Sequence, residues 1–390
     1  MKYLAITGRQ PAIALAELES LFSARAIHPL PGGAALIDTE NENLFYRLGS
    51  VIKVSKILTT LETTDWFAIE KYLISACKKN EQYVPDGKLT IGLSVYGIDV
   101  SPKMLERTAL NIKKAVKSTG RPVRIVPNKT REISTPQIIH NDLTGPNGWE
   151  LVLYRDGRKT ILAQTVFIQD IEGYTARDQK RPMRDTRVGM LPPKLAQTII
   201  NLAHPEASTI DTVILDPFCG TGVLMQEALL MGYSVSGTDI EPRMIEYTSK
   251  NLEWLKNSFG FPGSIIQLEK GDAISHSWKD ITSVACEGYL GLPFSHLPSD
   301  SQLQESIQTS NQIAKGFLKN IYTQVPSGFR LCIGLPAWHV KNKTIHLPLL
   351  GNIESSGWKR IEFKHAKTAD LIYHRDDQIV GRELAVLVKK

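Results

Sequence analysis

The pattern of apolar and polar positions predicts alternating helices and strands along the whole chain. Strands are expected where apolar residues alternate or cluster between turn signals, and helices where they recur every three to four residues. In the first half the predicted strands are 34–38, 89–95, 121–126, 150–154 and 159–164. The predicted helices there are 12–22 and one that begins at Ser101-Pro102, a favoured pair for a helix start. Residues 1–9 are interpreted as a first strand rather than a signal peptide.

From about residue 190 strands and helices alternate regularly, which is typical of a mostly parallel sheet with helices on both faces. A helix at 194–203 precedes strands predicted at 212–215, 234–238, 265–268, a fourth ending before Glu287, and 329–334. A closing antiparallel hairpin is expected from residues 369–373 and 384–388, joined by the charged turn Arg375-Asp376-Asp377. The predicted fold class is therefore α/β.

Length and composition limit the classes of protein that fit. A chain of 390 residues with 42% hydrophobic and 22% charged residues is expected to fold into two or three globular domains. No apolar run approaches the roughly 20 residues that span a bilayer, so no membrane association is expected. The four cysteines form no CxxC pair, so neither a metal site nor a disulfide framework is expected. Free thiols fit a cytoplasmic location.

Positive charge is concentrated in one region of the chain. Residues 101–200 carry 18 Lys+Arg and 9 Asp+Glu, and residues 103–131 hold nine basic residues and one acid. Such a patch is a candidate footprint for phosphates, with a solvated helix face as the open alternative. The residues predicted to contact RNA here are Lys103, Arg107, Lys114, Lys117, Arg124 and Lys129.

The strongest local motif is a glycine-containing turn between a strand and a helix. The strand ends at Asp216, and the turn continues through Phe218, Gly220 and Gly222. Glycines let the backbone approach a ligand closely, and the helix start adds N–H donors. The third glycine of the dinucleotide-binding pattern is missing, and a carboxylate would repel a pyrophosphate. The turn therefore favours a cationic ligand without phosphate, such as S-adenosylmethionine.

Two further acids follow the next two predicted strands. Asp239 lies 23 residues after Asp216, where an acid can accept hydrogen bonds from ribose hydroxyls. Ile240 beside it is expected to cover one face of adenine, and Asp272, followed by Ala273, to accept from the adenine amine. A single loop aspartate is a common turn former. Three acids after three apolar strands predict an S-adenosylmethionine site.

These residues resemble the class I S-adenosylmethionine methyltransferases. Residues 177–185 and 189–196 are similar to the linker segment of the THUMP-domain tRNA guanine-N2 methyltransferases, which modify guanosine 10. Residues 124–129 and 168–174 resemble the THUMP segment of that family. The resemblance implies a ferredoxin-like domain at 1–60, a THUMP RNA-binding domain at 61–172, a linker at 173–193 and a Rossmann-like methyltransferase domain at 194–390.

The resemblance also assigns roles around the site. The loop 189–193, including Pro192, is implied to hold the methionine part of the cofactor. Arg181 and Arg184 are implied to face RNA or shape the mouth of the site, with ion pairs to Asp178 or Asp185 as the alternative. The expected partner is tRNA, and a small activating protein and the oligomeric state are left open.

The catalytic motif departs from the family pattern. The family carries Asp or Asn, then Pro-Pro-Tyr, where this chain has Glu287-Gly288-Tyr289. Glu287 is implied to accept hydrogen bonds from the target amine, and Tyr289 to stack on the base. Glutamate is longer by one CH2, about 1.5 Å, so Gly288 is expected to allow a compensating backbone. The predicted function is tRNA guanine-N2 methylation; the alternatives are an inactive RNA-binding homologue or a methyltransferase for another RNA base.

Overall fold

The computed structural model places the chain in two compact units. It describes residues 1–185, 190–206, 208–291, 293–294, 296–341, 343–375 and 378–390. The first unit is made of residues 1–9, 25–46 and 51–171. The second is made of residues 10–24, 47–50 and 172–390. None of the described helices combines the length and apolarity that crossing a bilayer requires.

The first 168 residues contain eight strands and four α-helices in the described structure. In chain order they are β1 (Lys2–Thr7), α1 (Pro11–Phe22), β2 (Ile27–Leu30), β3 (Ala34–Asp38), β4 (Val51–Leu61), α2 (Trp66–Asn80), β5 (Leu89–Tyr96), α3 (Pro102–Lys117), β6 (Val123–Ile125), α4 (Thr135–His140), β7 (Gly148–Asp156) and β8 (Lys159–Ile168). The strands form one sheet in the order β2-β3-β1-β4-β8-β7-β5-β6. Helix α3 begins as predicted, because the Ser101 hydroxyl accepts from the Met104 N–H.

The sheet of the first unit crosses the boundary predicted near residue 60. Strand β4 pairs with β8 from Lys53 to Leu61, so both predicted N-terminal domains contribute to one sheet. The buried Lys53 ammonium lies 2.5 Å from Glu150 on β7, which also accepts from the Ser94 and Thr165 hydroxyls. These bonds satisfy a carboxylate that has no access to water. The division at residue 60 stays a prediction, whereas the compact units described here are two.

The rest of the chain contains nine strands and five α-helices in the described residues. They are α5 (Ile171–Gln179), α6 (Pro193–Ala203), β9 (Val213–Asp216), α7 (Val223–Leu230), β10 (Ser234–Asp239), α8 (Pro242–Ser258), β11 (Ile265–Lys270), β12 (Ser283–Glu287), α9 (Asp300–Tyr322), β13 (Arg330–Val340), β14 (Lys343–Ile345), β15 (Trp358–Arg360), β16 (Ile372–Tyr373) and β17 (Val380–Lys389). The main sheet has the order β11-β10-β9-β12-β13-β17-β15. Its first five strands are parallel, and β17 runs antiparallel to its neighbours.

Both faces of this sheet are covered, which explains its continuous apolar strands. On β9, Ile214 packs in a cluster with α1, α6, α7 and α8, while Leu215 packs in a second cluster with α9. Strand β9 lies between β10 and β12, so the chain reverses its direction of travel across the sheet there. Ligands of doubly wound sheets bind outside the carboxyl ends of the strands at such a switch point. The tips of β9, β10 and β12 are therefore the expected place for a site.

Helix α1 belongs to the second unit although the strands before and after it belong to the first. Its residues Ile13 and Ala16 pack in the core cluster of α6 and α7. The buried carboxylate of Glu17 accepts from the Gly49 N–H at 3.0 Å and from the Asn201 amide at 2.7 Å. This helix is therefore part of the core of the second unit.

The predicted closing hairpin differs from the structure. Strand β17 is longer than predicted, and β16 contains only Ile372 and Tyr373, which pair with Glu383 and Arg382. Residues 368–370 form a 3-10 turn instead of a strand. Asp376 and Asp377 of the charged turn lie outside the described residues. Helices α2 and α9, and strand β15, were not among the predicted elements.

Candidate functional site

The glycine turn lies at the carboxyl end of β9, a central strand of the sheet. Gly220 and Gly222 have φ of +52° and +80°, in the left-handed region that favours glycine. A Cβ on Gly222 would lie 2.7 Å from the Thr248 side chain of α8, whereas a Cβ on Gly220 would meet nothing closer than 3.9 Å. The Cβ position of Gly220 thus faces open space, whereas that of Gly222 is closed by α8. The strand–turn–helix predicted from the sequence is present.

Asp216 and Asp239 lie at the tips of adjacent parallel strands. The Oδ1 of Asp216 accepts from the Phe218 N–H at 3.2 Å, and the Oδ2 of Asp239 accepts from the Gly220 N–H at 2.9 Å. Burial raises the pKa of Asp216 well above its usual range, and the nearby charges of Asp239 and Glu287 raise it further. Burial likewise raises the pKa of Asp239. Within the described part of the chain, neither carboxylate forms an ion pair, so a cationic ligand would relieve this charge.

The other predicted cofactor residues lie beside these acids or on the next strand. Asp272 follows β11 and accepts from the Ile274 N–H at 3.0 Å. Phe218 and Ala273 both belong to the apolar cluster on the α9 side of the sheet. The side chain of Ile240 is 57% exposed at the tip of β10, so it can cover a ligand ring. An apolar wall and a row of acceptors are the surroundings that an adenosine needs.

The linker before α6 is tied to the glycine turn by one buried amide. Asn251 of α8 accepts from the Met183 N–H at 2.9 Å, and donates to the Met183 carbonyl at 3.0 Å and the Thr221 carbonyl at 2.8 Å. Thr248, one turn earlier, donates to the Gly220 carbonyl at 2.8 Å. The sequence prediction missed both residues. The sequence signal that could have indicated them is that both are polar residues on the buried face of the amphipathic helix α8.

Asn251→Ala is expected to lower the free energy of unfolding by about 1–3 kcal/mol, because it leaves buried backbone groups of the linker and the turn unpaired. Chemical denaturation measures the change. Asn257→Ala, at an exposed position of the same helix, is the control and should change stability by less than about 0.5 kcal/mol. Equal stabilities of the two variants would contradict the bridging role of Asn251.

The residues predicted in the linker have different surroundings. Arg181 is only 2% exposed, and its Nη2 lies 3.1 Å from the Met190 sulfur and 4.0 Å from Asp178. Its guanidinium therefore has no surface for a phosphate in this conformation, unlike the exposed Arg184. Pro192 is buried and directly precedes α6. Gly189 of the implied methionine loop lies outside the described residues.

Glu287, the predicted acceptor for the target amine, lies at the tip of β12. Its Oε1 accepts a hydrogen bond from Nε of Arg382 on β17, a partner that the sequence prediction missed. Burial raises the pKa of Glu287, and the Arg382 guanidinium opposes that shift. Tyr289, two residues on, is 38% exposed and free to meet a planar ring. The carboxylate at the tip of β12 is thus ion-paired, whereas those at the tips of β9 and β10 have no ion pair among the described residues.

Gly288 plays a different part from the one expected. Its φ is not in the left-handed region, so it supplies no unusual backbone conformation. Its N–H donates to the Gly334 carbonyl at 2.9 Å, and a Cβ would lie 3.1 Å from Ile333. A proline has no N–H to donate. Gly288 therefore extends the pairing of β12 with β13 by one bond beyond Glu287.

The predicted RNA-contacting residues of the first unit form a stripe on α3. Lys103, Arg107, Lys114 and Lys117 are exposed, and their spacing places them within a sector of about 80° at 3.6 residues per turn. Arg124, on the edge strand β6, and Lys129 are exposed as well. The opposite face of α3 is buried through Leu105, Ala109, Ile112 and Val116. We call the four helix residues the α3 basic stripe.

A protein family and a solved structure are similar to this chain. The family described as DNA methylase (N6_N4_Mtase) matches residues 126–250. The crystal structure of TrmN from Thermus thermophilus superposes with a TM-score of 0.51 at 16% identity, over 100% of both chains. The expected fold class is confirmed: the second unit has the Rossmann-like fold of class I methyltransferases, and the first is a further α/β unit.

Curated relatives add sequence similarity over shorter stretches. The tRNA (guanine(10)-N2)-dimethyltransferase of Methanothermobacter thermautotrophicus is 47% identical over 78 residues, 20% of this chain and 22% of that protein. The same-named protein of Pyrococcus abyssi is 28% identical over 184 residues, 46% and 49% of the two chains. The chain thus spans between about a fifth and a half of the length of these relatives. The resemblance to tRNA guanine-N2 methyltransferases is confirmed, and the THUMP assignment stays a prediction.

Proposed function

We propose that this protein is an S-adenosylmethionine-dependent methyltransferase that forms N2-methylguanosine in tRNA, at position 10 by likeness to its relatives. The observation that carries the proposal is the row of carboxylates of Asp216, Asp239 and Glu287 at the tips of three neighbouring parallel strands. Two of them lack an ion pair within the described residues, which suits a sulfonium and an ammonium. A cytoplasmic location is part of the same proposal.

Some residues of the chain would bind the cofactor, and another would orient the target amine. Asp239 would accept from the ribose, Asp272 from adenine, and the backbone at Gly220 would approach the methionine part. When bound, S-adenosylmethionine supplies an electrophilic methyl group on its sulfonium. A guanine amine is a weak nucleophile because its lone pair is delocalised into the ring. Glu287 would hold that amine by hydrogen bonds and offset the charge that develops on its nitrogen.

A guanine in a tRNA stem has to leave its stack, which costs a few kcal/mol. We propose that the first unit supplies binding energy through the α3 basic stripe, with Arg124 and Lys129 beside it. Phosphate contacts of this kind are independent of sequence and sensitive to salt. Arg184 would contribute a further phosphate contact from the linker of the second unit.

The direct test is incubation of the purified protein with methyl-labelled S-adenosylmethionine and bulk tRNA, followed by nucleoside mass spectrometry. Labelled N2-methylguanosine is expected, and the masses also tell one added methyl from two. Label in another nucleoside would show that the target base is not guanine. Cofactor binding without any labelled nucleoside would favour an RNA-binding homologue without activity.

Replacing the four residues of the α3 basic stripe with glutamine is expected to weaken tRNA binding and flatten its salt dependence. The slope of log K against log salt should fall by about 3, because each lost phosphate contact removes about 0.7–0.9. Filter binding at several salt concentrations measures it. The control variant carries the same charge change at exposed lysines away from α3, namely Lys2, Lys56, Lys71 and Lys79. If both variants show the same slope, the stripe is not the footprint.

A further inference from the structure

The ion pair at the tip of β12 joins two strands that are not neighbours. We propose that Arg382 is a positioning residue that holds one oxygen of Glu287 and so turns its other oxygen toward the exocyclic amine of the target guanine. This inference rests on the function proposed above. It goes further by giving the acceptor carboxylate a partner that fixes its direction and favours its ionised form.

The register of three strands explains how the two side chains meet. Glu287 on β12 is opposite Gly334 on β13, and Gly334 is opposite Leu384 on β17. Arg382 lies two residues from Leu384 along β17, so both project to the same face of the sheet. Strands β12 and β17 are about 9–10 Å apart because β13 lies between them. An arginine and a glutamate are together long enough to cross that gap, and Gly334 has no side chain in the way.

Burial opposes the ionisation of Glu287, and the contact with Arg382 favours it. Asp216 on β9 is close enough for its own pKa to be raised by Glu287, and Asp239 on β10 belongs to the same group. Arg382 is the basic partner of Glu287 among the described residues. The side chains of Arg382 and Glu287 are 6% and 17% exposed, so water screens their attraction poorly. Without Arg382, Glu287 would be a partly buried acid in a cluster of acids.

The same contact accounts for the glutamate in place of aspartate. The extra CH2 carries the carboxylate about 1.5 Å further from the backbone, which would misplace a freely rotating acceptor. Nε of Arg382 fixes Oε1, and the planar guanidinium restricts the direction of the bond. The Gly288–Gly334 hydrogen bond keeps the strand beneath it in register. The longer side chain of Glu287 and the guanidinium of Arg382 thus act together to place the acceptor oxygen.

The kinetic test compares Arg382→Gln with Arg382→Lys and with the matched control Arg360→Gln. Arg360 also pairs with a buried glutamate, Glu383, which follows Arg382 on β17 and projects to the opposite face of the sheet. With Arg382→Gln we expect kcat to fall about 10- to 100-fold, as for a misplaced reacting group, with KM for tRNA and cofactor affinity nearly unchanged. The acid limb of the rate profile should move to higher pH, because the pKa of Glu287 rises. Arg382→Lys keeps the charge but not the planar fork, so it should move the limb less than Arg382→Gln and lose less of kcat.

A second readout does not need activity. In protein labelled with 13C-glutamate, the Glu287 carboxyl signal, identified by its absence in Glu287→Gln, should titrate at higher pH in Arg382→Gln than in the wild type or Arg360→Gln. If Arg382→Gln does not fold, Arg382→Lys is measured in its place, with a smaller shift expected. An unchanged titration overturns the inference even if the wild type methylates tRNA. If the titration shifts in Arg382→Gln but the wild type transfers no methyl group to tRNA, the contact is supported and the proposed function is refuted.

Discussion

Glu287→Gln is expected to lower the rate of methyl transfer to tRNA about 100- to 1000-fold, the usual cost of removing one preorganised group that stabilises a developing charge. Glutamine keeps the volume and one acceptor oxygen but lacks the negative charge that offsets the positive nitrogen. The affinity for S-adenosylmethionine should stay within about twofold, because this carboxylate is placed on the substrate side. Single-turnover rates and calorimetric binding separate the two effects.

Glu383→Gln is the matched control for this variant. Glu383 is a buried carboxylate on β17 that accepts from Arg360 and lies 2.6 Å from His346. Its loss removes a comparable buried ion pair, so any general loss of stability should appear in both variants. A transfer rate in Glu287→Gln within threefold of the wild type would remove Glu287 from the reaction. A rate that falls equally in Glu383→Gln would point to folding rather than chemistry.

Asp239→Ala is expected to weaken S-adenosylmethionine binding about 10- to 100-fold, since hydrogen bonds to charged groups contribute about 1.5–3 kcal/mol. The variant removes the acceptors for the ribose and also releases the Gly220 N–H that shapes the turn. Asp239→Asn should lose less, because it keeps one oxygen. Calorimetry measures the affinities, and Glu241→Gln, an exposed acid two residues away, should bind like the wild type.

The same carboxylate predicts how binding responds to pH. Burial raises the pKa of Asp239, and of its neighbour Asp216, above the ordinary range of aspartates. Both are fully ionised only above those raised values, so affinity for a cationic ligand should fall as the pH drops through them. An affinity that stays constant down to the pH at which ordinary aspartates titrate would contradict the assignment. Asp239→Ala should show a weaker dependence than the wild type.

The sequence predicted the position of residues at strand ends where short-range patterns determine it. Asp216 and Asp239 end apolar strands, and parallel strands bring their carboxyl ends together, so periodicity alone placed both acids. Arg382 could not be found in this way. It is 95 residues from Glu287, and their meeting depends on the register of an antiparallel strand across Gly334. Register is set by tertiary packing, which no local pattern contains.

Other differences have the same origin. The resemblance implied that Arg181 faces RNA or the mouth of the site, but its side chain is buried beside the Met190 sulfur and lies 4.0 Å from Asp178. The division near residue 60 stays a prediction, but no short-range pattern indicated that β4 pairs with β8. Burial and long-range pairing are properties of the assembled unit rather than of a sequence window.

The membership of α1 in the second unit constrains how the chain can be made and divided. During translation this helix emerges about 180 residues before α6, its partner in the core. At 5–20 residues per second that is a delay of roughly 10 to 40 s, during which the apolar face of α1 has no native cover. In a fragment that starts at residue 172, the apolar surface of α6 and α7 that α1 covers would be exposed to solvent. The core of the second unit can therefore be completed only after α6 has been synthesised.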